Sequence, residues 1–257
     1  MTDPSKKNQP IEAFILAAGK GSRLGVLTAE LPKCLIEVGG RTLLDRSLSA
    51  MAAVGLSSVR IVVGFNGQMI RTHVESLALP LTVRIIENPY WSDTGSVVSL
   101  DLAVRDCAPA WGVVVESDLL YHPEFLTRAI RDRRDRILVA DASGSGDEVW
   151  VVADAAGHLM QLGKQMSAPE RARAAGEFAG ISMFSPALLE KFSRGAGMLL
   201  ADGRATGHYE ELVFELSQTG NPVDVDCCPS LPWTEIDTPA DLQRAINRVY
   251  PALTGLA

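Results

Sequence analysis

The chain has 257 residues, and 47% of them are hydrophobic, which is enough for a sizeable core in one large domain. Its net charge of −7 at pH 7 argues against general binding of nucleic acids. No segment approaches the roughly 18 uninterrupted apolar residues of a membrane-spanning helix, and residues 1–10 are polar. We therefore expect a cytoplasmic protein with a disordered tail over residues 1–10 and with no membrane or nucleic-acid partner.

Apolar runs that favour β-strands alternate with segments that favour helices up to residue 140. The predicted strands cover residues 11–18, 59–65, 81–87, 111–117 and 137–140. The predicted helices lie near residues 42–54, 68–76, 96–105 and 123–131. This alternation predicts right-handed crossovers and a parallel sheet, in which ligands bind at the carboxyl ends of the strands.

The pattern changes after residue 141. Two short β-type runs, 148–153 and 158–162, flank a turn-forming segment and predict a hairpin. Strands are expected again over 180–184 and 223–227, and a helix over 239–249. The predicted fold is a single α/β domain spanning 11–257, Rossmann-like, with a mostly parallel mixed sheet between helices. A lid or acceptor-binding subregion is expected at about 143–215.

A loop of small residues follows the first predicted strand, in the segment LAAGKGSRL at 16–24. Alanine at the strand end lets a flat base lie against the backbone, and glycines bring backbone N–H groups near phosphate oxygens. The spacing matches neither a P-loop nor the full dinucleotide fingerprint, whose third glycine is replaced by Leu24. We interpret the loop as a nucleoside triphosphate site formed by Leu16, Ala17, Ala18, Gly19, Gly21 and Ser22.

Charged residues near this loop suit phosphate chemistry. Lys33 follows Pro32, which stiffens its approach, and the planar fork of Arg23 can pair with phosphate oxygens. Asp118 comes just after a buried strand and Asp237 lies near the chain's end. Their carboxylates are hard oxygen ligands of the kind Mg²⁺ prefers. Asp237 precedes Thr-Pro, so capping of the last helix remains an alternative.

The whole pattern resembles the nucleotidyltransferases that activate sugar phosphates and phosphocholine-like head groups. It joins LAAGKGSRL and the Pro32-Lys33 pair to further segments at 88–100, 116–121, 163–164, 209–212 and 233–239. Together these segments cover most of the chain and are similar to phosphocholine and 2-aminoethylphosphonate cytidylyltransferases.

The resemblance assigns roles to individual residues. It implies that Asp118 and Asp237 hold Mg²⁺, that Lys33 contacts the triphosphate or the transferred phosphate, and that Lys164 contacts the acceptor's phosphoryl group. It places reading of the base at Thr94, Gly95 and Ser96, where a plain helix cap is the alternative. Glu116 joins the predicted nucleotide-binding set. The predicted acceptor-binding residues are Tyr209, Glu210, Glu211 and Trp233.

The acidic pair at the acceptor side has two explanations. Glu210 and Glu211 start a predicted helix, where acidic residues stabilise the first turn through the helix dipole. In an aminophosphonate enzyme, one of them could instead hold the acceptor's ammonium. The sequence leaves both open.

The expected activity is Mg²⁺-dependent transfer of CMP from CTP to a small phosphonate or phosphate, with 2-aminoethylphosphonate or phosphocholine as leading acceptors. A sugar-1-phosphate or inositol-phosphate nucleotidyltransferase is the alternative within the class. A non-catalytic nucleotide-sensing module is less favoured because the set Lys33, Asp118, Lys164 and Asp237 is complete. A dinucleotide-dependent oxidoreductase is disfavoured because no ribose-binding acid follows the strand at 59–65. A homodimer is left open.

Overall fold

The computed structural model describes residues 9–255, which form a central nine-stranded sheet with helices on both faces. The strands are β1 (Ile11–Ala17), β2 (Glu37–Val38), β3 (Arg41–Thr42), β4 (Ser58–Val63), β5 (Thr82–Glu87), β6 (Trp111–Glu116), β7 (Leu119–Tyr121), β8 (Arg136–Ala140), β9 (Trp150–Ala153), β10 (Leu159–Gly163), β11 (Gly176–Phe184), β12 (Asp224–Cys227) and β13 (Trp233–Glu235).

The helices are α1 (Leu43–Ala53), α2 (Gly67–Glu75), α3 (Ser96–Arg105), α4 (Glu124–Ile130), α5 (Ala168–Arg171), α6 (Pro186–Ala201), α7 (Tyr209–Ser217), α8 (Pro239–Arg244) and α9 (Tyr250–Thr254). A π-helical turn, Ala245–Val249, joins α8 to α9, and short 3₁₀ turns occupy Ser22–Thr28 and Lys33–Leu35. Within residues 9–255, no helix combines the length and apolar character needed to cross a membrane.

The centre of the sheet is parallel and its far side is mixed. β1 pairs in parallel with β4 and β6, and β4 pairs in parallel with β5. β11 runs antiparallel to β6, β8 and β9, while β12 pairs in parallel with β8. The predicted α/β class and flanking helices are confirmed. The predicted hairpin is β9–β10, which extends the edge of the main sheet beyond β11.

Alternation along β1 shows why helices cover both faces. Ala13 and Ile15 are fully buried toward the layer that includes α1, α2 and α4. Phe14 and Leu16 are buried on the opposite face, against α3, α6 and α7. Successive strand residues point to opposite faces, so a strand that is apolar throughout requires cover on both sides.

Elements predicted up to residue 140 have boundaries within about two residues of those observed. The strand predicted at 180–184 begins earlier, at Gly176, and the helix predicted at 239–249 continues to Thr254. Helix α6 was not predicted, nor were the short pairs β2–β3 and β7–β13. Most of the predicted N-terminal tail lies outside the described residues.

Candidate active site

A cavity of roughly 390 Å³ opens at the carboxyl ends of β1 and β6. It is the place where parallel sheets of this kind bind ligands. The ten residues predicted to bind the nucleotide all line it: Leu16, Ala17, Ala18, Gly19, Gly21, Ser22, Thr94, Gly95, Ser96 and Glu116. The five predicted catalytic and metal-binding residues line it as well: Arg23, Lys33, Lys164, Asp118 and Asp237.

The loop after β1 is shaped around the side chain of Lys33. Gly21 has a φ of 63°, in the left-handed region that favours glycine. A Cβ on Gly21 would lie 2.1 Å from Cδ of Lys33, so only glycine lets the lysine's aliphatic stem pass. The carbonyl oxygen of Gly21 accepts a hydrogen bond from the Thr28 hydroxyl at 2.7 Å, which fixes the return of the loop.

Lys33 is held between two carboxylates inside the cavity. Its Nζ lies 2.5 Å from Oδ2 of Asp118 and 2.5 Å from Oδ1 of Asp237, and its side chain is only 10% exposed. Burial alone would lower the pKa of the Lys33 ammonium, but the two carboxylates outweigh burial and raise that pKa. Lys33 is therefore a fixed positive charge at the centre of the site.

Backbone pairing brings the terminal acidic motif to the end of β6. The N–H of Ile236 donates to the carbonyl oxygen of Asp118 at 3.0 Å, next to the pairing of β13 with β7. The alternative of a capping role for Asp237 does not hold, because the N-cap of α8 is Thr238, whose hydroxyl accepts from Asp241 N–H. The Asp237 carboxylate instead pairs with the Lys33 ammonium.

Three carboxylates form a cluster beside Lys33. Glu116, Asp118 and Glu235 each offer an oxygen, and these oxygens lie within 4.8 Å of one another. Burial and the neighbouring negative charges raise the pKa values of Glu116 and Glu235. Glu235 was missed as a site residue, although it stands two positions before Asp237 and alternation along a strand would direct both to one side.

Two cations at the rim of the cavity, Arg23 and Lys164, are paired with Asp147, which was not predicted as a site residue. Arg23 contacts Asp147 at 2.5 Å and Asp237 at 2.6 Å, and Lys164 contacts Asp147 at 2.7 Å. Burial would raise the pKa of Asp147, but hydrogen bonds from Lys164 and Arg23 lower it overall. Exposed pairs of this kind contribute about 1 kcal/mol or less, so phosphate oxygens can displace Asp147 from both cations.

The segment predicted to read the base is fixed against the start of α7. Gly95 donates its N–H to Ala205 O at 2.9 Å, so this N–H is already hydrogen-bonded within the fold. A Cβ on Gly95 would lie 2.0 Å from Gly207 O. Ser96 Oγ accepts from Tyr209 N–H at 2.9 Å, and Ser96 also lines the cavity.

The structure brings only one of the four predicted acceptor-binding residues to the cavity. Glu210 lines it, beside His208, Glu177 and Phe178. Tyr209 is fully buried in the core, and its hydroxyl lies 3.3 Å from the Ser182 hydroxyl.

The other two residues predicted to bind the acceptor, Glu211 and Trp233, also lie outside the cavity lining. Glu211 accepts a hydrogen bond from His208 N–H at 3.1 Å and caps α7. Trp233 packs in the core and donates its indole N–H to Asp141 O at 3.2 Å. The spacing of YEEL did not show which carboxylate faces inward, because adjacent helix residues point about 100° apart.

Comparison with known proteins adds independent information. A family model described as the MobA-like NTP transferase domain matches residues 13–187. The chain is 31% identical over 238 residues to a bifunctional IPC transferase and DIPP synthase of Rubrobacter xylanophilus, covering 91% of this chain and 50% of that protein. It is 29% identical over 262 residues to a CMP-5'-(3-aminopropyl)phosphonate synthase of Streptomyces rubellomurinus, covering 94% of this chain and 39% of that protein. The chain thus spans half or less of the length of these two relatives.

Among solved structures, the CTP:phosphocholine cytidylyltransferase of Streptococcus pneumoniae superposes with a TM-score of 0.75. The two chains are 19% identical, and the match covers 96% of this chain and 100% of that one. At this identity the superposition establishes the shared fold.

Proposed function

Because the chain belongs to the MobA-like NTP transferase family, as its motifs predicted, we propose that it is a cytidylyltransferase. The proposed reaction joins CMP from CTP to a small phosphonate or phosphate, such as 2-aminoethylphosphonate or a phosphocholine-like acceptor, and releases pyrophosphate. The observation that carries this proposal is the single cavity in which the small-residue loop, Lys33 and the carboxylate cluster meet. The phosphonate chemistry named for one relative supports the choice of acceptor.

The reaction requires positioning and charge neutralisation more than proton transfer. An acceptor oxygen attacks the α-phosphorus of CTP, and the bond to the leaving pyrophosphate breaks in line with the attack. That oxygen is already anionic at neutral pH, so no general base is needed. The Lys33 ammonium is fixed where phosphoryl charge develops, and Arg23 and Lys164 can leave Asp147 for the triphosphate and the acceptor.

The carboxylate cluster fits a divalent cation. Glu116, Asp118 and Glu235 offer hard oxygen ligands of the kind that suits Mg²⁺. Oδ1 of Asp118 is buried and has no hydrogen-bond partner within the described residues, so one ligand position is unused. When bound, Mg²⁺ would neutralise charge on the phosphates and on the cluster. This proposal departs from the predicted metal role of Asp237, which is paired with Lys33 and Arg23 and would hold those cations beside the cluster.

A screen of pyrophosphate release tests the proposal. The purified protein is assayed with each of four nucleoside triphosphates against aminophosphonate, phosphocholine, sugar-1-phosphate and inositol-phosphate acceptors. We expect release with CTP and with an amine-bearing acceptor, and loss of release in excess chelator. Asp118→Asn should lower the rate strongly, whereas Glu190→Gln, on the exposed surface of α6, should not.

Two outcomes would contradict the proposal. Release with UTP or another triphosphate but not with CTP would exclude a cytidylyltransferase. Release of no pyrophosphate from any combination, together with binding of nucleotide, would favour the nucleotide-sensing module.

A further inference from the structure

Glu210 is a buried carboxylate that faces the cavity without using its full hydrogen-bonding capacity. It is the second residue of α7 and is 5% exposed, yet it lines the cavity. Its Oε2 has no hydrogen-bond partner within residues 9–255 and almost no accessible surface. A carboxylate oxygen buried without a donor is costly, so such a group in a binding cavity is a candidate to receive a donor from a ligand.

The charged groups around Glu210 in the described part of the chain do not include a cation that is committed to pairing with it. Its electrostatic neighbours are His208 and Lys164, which favour its charged form, and Glu211 and Glu116, which disfavour that form. The Lys164 ammonium is bound to Asp147, and Glu116 belongs to the carboxylate cluster. Burial is the largest effect and raises the pKa of Glu210. An ammonium group on a ligand would offset the free-energy cost of burying the charged Glu210 carboxylate.

We propose that Glu210 determines acceptor specificity by hydrogen bonding an ammonium group that carries N–H donors. The acceptor is then a primary or secondary aminoalkyl phosphonate or phosphate. Rotation of the terminal carboxyl about its soft last torsion turns Oε2 toward that donor. This inference rests on the proposed function and narrows its acceptor class.

The same geometry disfavours a quaternary ammonium. A trimethylammonium group has no N–H to satisfy Oε2 and is usually enclosed by several aromatic faces. Among the described residues, Trp91 and Phe178 are the aromatic rings of phenylalanine, tyrosine or tryptophan that line the cavity. Tyr209 and Trp233, the aromatic residues predicted at the acceptor side, are packed in the core.

Three matched acceptors test the proposal: 2-aminoethylphosphonate, its N,N,N-trimethyl form and 2-hydroxyethylphosphonate. With CTP and the unmodified protein, kcat/KM should be at least about tenfold higher for the amine than for either analogue, because unpaired buried polar groups penalise ligands that lack the matching donor. Equal use of the trimethyl form would overturn the proposal.

Glu210→Gln should raise the KM of the amine by about 100-fold and leave the KM of CTP unchanged, the signature of lost ground-state binding. Its preference among the three acceptors should shrink to a few-fold. Glu211→Gln is the control, because a glutamine oxygen can still accept from His208 N–H and the side chain lies outside the cavity. It should retain the original preference.

An unchanged preference in Glu210→Gln would also overturn the proposal. If Glu210→Gln does not fold, the three-acceptor comparison on the unmodified protein still decides. Absence of turnover with all three acceptors and with the phosphate acceptors of the wider screen would contradict the proposed function instead. Calorimetric binding of the acceptors then tests Glu210 separately, because the amine must bind the unmodified protein more tightly than its trimethyl form.

Discussion

Lys33 has the most constrained position of the site's cations. Its stem crosses Gly21, and its ammonium is shared by carboxylates from two distant parts of the chain. Lys20, in the same loop, is exposed and lies 5.3 Å above the Phe65 ring, outside the cavity lining. Two lysines that look alike in sequence therefore have different surroundings.

Lys33→Ala should lower kcat by about 100-fold or more, because a fixed charge near a developing phosphoryl charge is worth several kcal/mol. Lys20→Ala, the control, should change kcat less than tenfold. Steady-state kinetics with saturating CTP and acceptor measure both. A loss below tenfold in Lys33→Ala would make this lysine a minor contributor to the chemical step.

Gly21→Ala should separate backbone strain from displacement of Lys33. Gly21 and Gly255 are both in the left-handed helical region, at φ 63°, ψ 43° and at φ 69°, ψ 22°, so a side chain at either costs roughly 1–2 kcal/mol of stability. A Cβ at Gly255 meets nothing within 4 Å, so Gly255→Ala is the control, whereas a Cβ at Gly21 overlaps the lysine stem. We expect similar losses of Tm from the backbone effect, with an added drop of about 100-fold in kcat for Gly21→Ala alone. Equal rates in the two variants would show that the lysine moves aside without consequence.

At the scale of elements, the loop between β8 and β9 is anchored by one buried carboxylate. Glu177 on β11 accepts from Ser143 N–H at 2.6 Å and from the Ser143 hydroxyl at 3.2 Å. The same loop carries Asp147, which pairs with Arg23 and Lys164 at the rim. The protonation state of Glu177 therefore affects how firmly the loop at the edge of the cavity is held.

Glu177→Gln should change the pH dependence of stability. Burial raises the pKa of Glu177 from 4.5 to about 7 against the opposing hydrogen bonds from Ser143. The folded protein therefore binds the proton more tightly, and the cost of ionisation grows from about pH 4.5 and is complete above about pH 7, at roughly 3 kcal/mol or less. The variant's Tm should approach that of the unmodified protein near pH 4.5 and exceed it at pH 8.

Thermal unfolding across this pH range measures the effect. Glu190→Gln on α6 is the control, because its partner Arg194 and its own side chain are mostly exposed. A constant difference in Tm from pH 4.5 to pH 8 would contradict the raised pKa of Glu177.

Helix α6 shows what the sequence could have revealed. Ser185 caps it by accepting from Leu188 N–H, Pro186 occupies its first turn, and buried side chains recur at helical spacing. Its two glycines weaken that pattern. Gly195 faces Leu212, where a Cβ would lie 3.2 Å from Cδ1, so the small residue serves the crossing with α7. Close packing between elements distant in sequence is not readable from local propensity.

The candidate site likewise contains residues that local motifs predict and residues whose positions depend on tertiary contacts. The loop residues, Lys33 and the two aspartates follow from local motifs, because a strand end and its following turn are local features. The inward choice of Glu210 over Glu211 depends on how α7 rotates against β11, where Tyr209 packs at 6.2 Å from Phe178. The pairing of Asp147 depends on the contact of a loop with a rim more than 100 residues earlier. Tertiary contacts set both of these positions.

At the scale of the whole molecule, two distant parts of the chain meet in the carboxylate cluster. Glu116 ends a central strand of the sheet, Asp118 follows it, and Glu235 lies on β13, which pairs with β7. The Lys33 ammonium neutralises only part of the negative charge that the cluster concentrates, so a bound divalent cation would stabilise the folded state further. Cation binding and global stability should therefore be linked.

Mg²⁺ or Mn²⁺ should raise the Tm of the unmodified protein without any nucleotide. A ligand that binds only the folded state at about 100 times its Kd adds about 2.7 kcal/mol to the free energy of unfolding. Asp118→Asn and Glu235→Gln should each remove most of this shift because each deletes a charged oxygen ligand. Glu235→Gln should also raise the cation-free Tm, because it relieves repulsion within the cluster, whereas Asp118→Asn should lower it, because it removes a carboxylate that pairs with the buried Lys33. Glu190→Gln should keep the full shift.

Thermal unfolding over a range of cation concentrations tests this prediction. A Tm that does not respond to either cation, or that responds equally in all variants, would contradict a metal site at this cluster.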